Sequence, residues 1–141
     1  MSRRLARETA LQVLFQLDVS EEKSETEKII RHWSEEFAVP EQSIPFAQEL
    51  VTGTLEHQTE IDEKLSTLSE GWGLARMAKV DRNLLRLATY EILYCPEIPG
   101  RVTLNEAIEI AKIYGSAESG KFINGILDKI VTGAQKTEEK R

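Results

Sequence analysis

The sequence predicts an all-α fold. Apolar residues recur at spacings of three and four through most of the chain, the Val/Ile/Thr alternation that marks strands is nearly absent, and proline or glycine breaks separate the periodic segments. At 141 residues, 40% hydrophobic and 30% charged, the chain is long enough to bury a core as a single domain.

Residues 3–18 place Ala6, Ala10, Val13, Leu14 and Leu17 in one arc of a 3.6-residue helix. An acidic linker follows at 20–23. Ser24 and Glu27 then form a capping-box pattern ahead of the stripe Ile29, Ile30, Trp33 and Phe37. Val39-Pro40 ends that helix, and Ser43 with Pro45 in the first turn starts a long one carrying Leu50, Val51, Leu55, Ile61, Leu65 and Leu68, with a kink expected near His57. Gly71-Trp72-Gly73 breaks the chain in the middle, as a hinge between two parts: one of about 1–70, the other of about 71–134.

From Val80, the run Leu84, Leu85, Leu87, Ala88 and Ile92 predicts a central helix ended by Pro96 and Pro99. Thr103 and Glu106 form a second capping-box pattern before Ala107, Ile110, Ala111 and Tyr114, and Gly115 suits a left-handed stop. The last helix starts near Ser116 with the core line Ile123, Ile126, Leu127 and Ile130. Residues from 132 turn polar, and a frayed tail is expected over 135–141.

Charge is unevenly spread. Residues 1–16 carry +2, residues 17–70 carry −10 and residues 71–141 carry +2, within a net charge of −6. Arg3, Arg4 and Arg7 sit where cations oppose a helix macrodipole, which costs roughly 0.3–1 kcal/mol each at exposed sites. Phosphate binding would favour them there, unless they precede the helix as a flexible arm; the competing reading is that they only aid solubility. Local basic patches collect phosphates even on an acidic protein, because charges beyond a Debye length of ~10 Å are screened from one another. The acidic middle suits a basic partner.

Arg4, Arg7, Leu11 and Phe15 form a stripe at the edge of the first helix. Arginines that hold phosphates beside an aromatic ring suit single-stranded RNA. On the last helix Glu118, Lys121, Phe122 and Gly125 lie off the core line, where a base or a backbone can approach. Lys79, Arg82, Asn83 and Arg86 share a polar face of the central helix, which either extends the basic track or is simply solvated. Asp81 fits a favourable first-turn acid.

Enzyme patterns are missing. His32 and His57 lack a metal-ligand or general-base setting, and there is no phosphate-cradling loop of the GxxxxGK[ST] type. The lone Cys95 suits packing, so no catalytic residue, metal or cofactor is expected. No apolar run reaches the roughly 18 residues of a membrane span and no leader is recognisable, so a cytoplasmic protein is expected.

Four blocks, RRLARETALQVLFQLD, RMAKVDRNLLRLATYEILY, VTLNEAIEIAKIYG and ESGKFINGILDKI, resemble the NusB family of bacterial transcription antitermination factors, in the family's order and over essentially the whole chain. The resemblance implies two small antiparallel helical bundles of six or seven helices and no catalysis. It implies two partners: the ribosomal protein NusE, and single-stranded boxA RNA from ribosomal operon leaders. Together these would serve the antitermination complex of RNA polymerase.

Carried over by position, RNA contact falls on Arg3, Arg4, Arg7, Phe15, Glu118, Lys121, Phe122 and Asn124. Contact with the protein partner falls on Asp81, Arg82 and Arg86. Leu5 stands where many relatives have a third consecutive arginine, and Glu118 where many have aspartate. Two other readings compete: the N-terminal RNA-binding module of an rRNA cytosine methyltransferase, and a protein-only scaffold. Against the former, KTEEKR closes the sequence without a nucleotide-binding βαβ unit. A homodimer is a further possible state.

Overall fold

The computed structural model describes residues 2–20, 25–69 and 73–139, and the side chains of 3–20, 25–69 and 73–134. Among these residues there are seven α-helices and no strands: α1 (Ser2–Ser20), α2 (Thr26–Glu36), α3 (Ile44–Glu56), α4 (Gln58–Leu68), α5 (Lys79–Tyr94), α6 (Gly100–Tyr114) and α7 (Ser119–Glu139). Short 3-10 turns at Glu41–Ser43 and Leu74–Arg76 precede α3 and α5. The all-α expectation holds. Neither the acidic linker at 21–23, nor Ser24 of the first capping box, nor Gly71-Trp72 of the expected hinge falls within the described residues.

Helices α1, α2 and α3 pack together, as do α5, α6 and α7, and α5 also touches α1, α3 and α4. Their inward stripes meet in one hydrophobic cluster that includes Leu14, Leu17, Ile30, Leu50, Leu65, Leu84, Leu85, Ile110, Ile123 and Leu127. Because α5 belongs to both sides, it is buried almost all round from Asn83 to Ile92, which explains its dense apolar run. A tight crossing brings α3 against it: a Cβ on Gly53 would sit 2.2 Å from the Tyr90 ring, so only glycine fits there.

Several boundaries differ from the sequence reading. The long helix expected after Ser43 is two helices, α3 and α4, that break at His57 (φ −105°, ψ 13°), whose ring stacks on Tyr94 at 4.0 Å between centroids. Helix α6 begins at Gly100 after Pro99, not at Thr103. Thr103 and Glu106 therefore lie inside the helix and cap nothing. Gly115 is extended (φ −97°, ψ −169°) rather than left-handed. It is required for space, since a Cβ there would lie 2.5 Å from Ser119 Oγ, which accepts the Ser116 N–H.

The left-handed residue is instead Ala38 (φ 52°). Its N–H bonds to Glu35 O, and the Val39 N–H reaches Ser34 O, the pair of bonds that closes a Schellman motif behind α2. The polar end of the chain, expected to fray, continues α7 to Glu139. No helix among the described residues is long and apolar enough to cross a membrane.

Candidate nucleic-acid interface

Helix α1 starts at Ser2, so the arginines sit on a helix and not on a leading arm. They occupy three different environments. Arg7 is 5% exposed. It donates from Nε and Nη2 to Glu91 Oε1 and Oε2 on α5, at 2.8 and 2.6 Å. Thr103 Oγ1 on α6 donates to the same carboxylate at 2.5 Å. Glu91 is 1% exposed, and a buried carboxylate needs this full set of donors to be tolerated. The expectation that Arg7 holds RNA phosphates meets a physical obstacle: the side chain is buried, with Nε and Nη2 committed to Glu91 inside the core.

One turn earlier, Arg4 is half-buried and makes a second fork, Nε and Nη2 to Glu106 Oε1 and Oε2 at 2.6 and 2.7 Å. Glu106 Oε1 also lies 3.6 Å from Arg7 Nη1. The hydrogen bond from Arg4, with the charges of Arg4 and Arg7, outweighs burial and lowers the Glu106 carboxyl below its ordinary value. Arg3 remains exposed, with its guanidinium 4.6 Å from the centroid of the Phe46 ring on α3, a cation–π geometry. Glu8 and Glu109 also act on Arg4, and Lys112 pairs with Glu109 at 2.8 Å. The cluster that is basic in sequence is thus interleaved with carboxylates from α1, α5 and α6.

Tyr114 at the end of α6 donates to Glu8 Oε1 at 2.5 Å. Together with the Arg4–Glu106 fork, this tie makes α1 and α6 run in the same direction. Half-buried Phe15 lies about two turns beyond Glu8 on α1, and the turn 115–118 leads directly from Tyr114 into α7. Glu118, Lys121 and Asn124 are exposed there, and Phe122 is half-buried against the core. An open depression of about 410 Å³ lies beside them, lined by Ile108, Lys112, Ser116, Gly120 and Lys121 among others. Gly125, next on α7, faces open space: an added Cβ would meet nothing within 4 Å.

The residues expected to meet a protein partner divide in the same way. Arg82 bonds Asp18 Oδ2 on α1 at 2.6 and 3.1 Å and Leu74 O at 3.2 Å. Arg86, 8% exposed, forks to Asp62 on α4 at 2.8 and 2.9 Å. Asn83 adds a bond to Asp18 at 2.8 Å. Burial alone would raise Asp18, but the bonds from Arg82 and Asn83 and the charges of Arg82 and Arg86 lower it. Apart from the exposed Lys79, this polar face is neither a solvated side nor a basic track; it ties α5 to α1 and α4. Asp81 is different, because its Oδ1 is buried with no hydrogen-bond partner among the described residues.

The sequence reading missed Glu91, Glu106 as a ligand of arginine, and Phe46. Glu91 had a signal: a carboxylate inside the run LLRLATYEIL must be buried and so must be paired. Cys95 is 1% exposed, its thiol pushed up to about 12 by burial and by Glu49, which suits packing and not nucleophilic chemistry.

The profile described as the NusB family matches residues 4–132. The chain belongs to the NusB family. A transcription antitermination protein NusB from Desulfitobacterium hafniense (strain DSM 10664 / DCB-2) is 69% identical over 140 residues, covering 99% of this chain and 95% of that protein. One from Desulforamulus reducens is 51% identical over 131 residues, covering 93% and 90%.

Among solved structures, NusB from T. maritima superposes with a TM-score of 0.87 at 40% identity, over 99% of this chain and 97% of that one. A structure of the antitermination factors NusB and NusE in complex with dsRNA gives 0.84 at 26% identity, over 94% and 97%. The non-enzymatic reading agrees with a NusB family of antitermination factors, as does the two-bundle fold.

Proposed function

We propose that this chain is a cytoplasmic antitermination factor that binds the single-stranded boxA segment of ribosomal RNA operon leaders. It does so jointly with a NusE-type ribosomal protein and delivers the RNA to elongating RNA polymerase. The observation that carries the partnership is the near full-length likeness to a NusB chain solved with NusE and dsRNA; the choice of a single strand rests on aromatic rings beside exposed cations. RNA lies along the outer stripe of α1 and the first turns of α7. Arg3 and Lys121 offer exposed cations to phosphate, Arg4 offers one through exchange, Phe15 and Phe122 offer ring faces to bases, and Glu118 and Asn124 offer polar contacts. Arg7 supports this surface from below.

The protein partner covers the start of α5. There the half-buried carboxylate of Asp81 meets a basic chain, while Arg82 and Arg86 hold the helix in place. The test is equilibrium binding of a boxA oligoribonucleotide, a scrambled strand and a duplex, each with and without the ribosomal partner, with sedimentation reading self-association in the same samples. Tightest binding of the boxA strand with the partner present is expected. Equal binding of all three RNAs, or none with the partner present, overturns the reading.

A further inference from the structure

Resting on the RNA surface proposed above, we infer that Glu106 sets the strength of RNA binding by competing with phosphate for Arg4. The guanidinium fork that fits a carboxylate also fits a phosphate, and in the free protein a carboxylate already fills it through both Nε and Nη2. A phosphate reaching Arg4 must displace Glu106 rather than occupy an empty seat.

The pair is built to exchange. Its side chains are 32% and 23% exposed, at the edge of the core. When Arg4 swings outward, Glu106 is not abandoned, because Arg7 Nη1 stands 3.6 Å from its Oε1. Arg7 cannot leave in the same way: its own pair with Glu91 is 6% and 1% exposed, and departure would strand a buried carboxylate. The other nearby acids are occupied elsewhere, Glu8 by Tyr114 and Glu109 by Lys112. Glu106 is therefore the specific rival for the Arg4 fork.

Exchange of one anion for another yields little net affinity. An RNA touching Arg4 alone is penalised, whereas one already held by the rest of the surface presents its phosphate at high local concentration. Glu106 thus favours RNA that engages the whole interface.

The experiment is a double-mutant cycle in the full chain with the ribosomal partner present. A labelled single-stranded boxA oligoribonucleotide is the probe, at one fixed salt concentration, with thermal melts recorded for every variant. Glu106→Gln is expected to bind about three- to tenfold tighter. Arg4→Ala is expected to cost more in the Glu106→Gln background than in the wild type, by a similar factor. Equal Arg4→Ala penalties in the two backgrounds overturn the inference, and so does weaker binding by a normally folded Glu106→Gln. If Glu106→Gln does not fold, Glu106→Asp keeps the charge beside Arg7 but is too short for the full fork. It is then expected to tighten binding by less, and unchanged binding overturns the inference. Absence of binding by the wild type overturns the RNA reading itself; wild-type binding with additive effects overturns this inference alone.

Discussion

At the residue scale, three arginines within five positions have three different jobs. Arg3 lies over Phe46 and is exposed, Arg4 sits at the edge in a fork, and Arg7 is locked beneath it. Removing one partner of a buried pair leaves the other charge unpaired, at a cost of about 3–5 kcal/mol. Arg7→Ala is therefore expected to lower the unfolding free energy by that much and so the urea midpoint, while the folded fraction keeps its salt slope for RNA. An unchanged midpoint with a slope smaller by about 0.7 would make Arg7 a phosphate ligand after all. Helical spacing does not separate them, since Arg3, Arg4 and Arg7 each stand one heptad before a buried residue, Ala10, Leu11 and Leu14. What sets Arg7 apart is its partner, and Glu91 lies 84 positions away, so that only tertiary packing brings it there.

At the scale of elements, the helices and their buried stripes were legible because 3.6-residue periodicity is a local property. Ends were less so. The Thr103–Glu106 pattern matches a capping box letter for letter, yet α6 starts three residues earlier and both side chains are spent on α5 and α1. Likewise Gly115 serves space, and Ala38 takes the left-handed position that glycine ordinarily fills. The polar face of α5 offers no local sign that Asp18 and Asp62 will meet it.

Gly125 remains unexplained by anything among the described residues, since a helix-interior glycine costs roughly 0.5–1 kcal/mol relative to alanine. Gly125→Ala is expected to stabilise the protein by about that amount in thermal melts. The same variant is expected to weaken RNA or partner binding, because the close approach it blocks is external. Full affinity in the variant would remove Gly125 from the interface.

At the scale of the whole molecule, ion pairs join what the apolar core joins. Arg7–Glu91 and Arg82–Asp18 link α1 to α5, Arg86–Asp62 links α4 to α5, and Arg4–Glu106 links α1 to α6. The carboxyls of Asp18 and Glu106 are lowered in the fold. A lowered carboxyl stabilises the native state above its unfolded value of about 4 and loses that contribution as pH falls through the folded value. Melting temperature is thus expected to drop as pH goes below about 4, and Asp18→Asn is expected to flatten that drop; equal acid sensitivity in the variant would contradict it.

The summed sequence charge gave a basic start and an acidic middle, but folding places Glu91, Glu106 and Glu109 around the basic start. Charge runs along a chain are not charge patches in space. The most direct test is residue-resolved chemical-shift mapping of the chain with its ribosomal partner, on addition of a boxA oligoribonucleotide. Perturbation is expected to concentrate on Arg3, Arg4 and Phe15 of α1 and on residues 118–124 at the start of α7. RNA-induced changes centred on α2 to α4 instead would contradict a surface shared by the first and last helices.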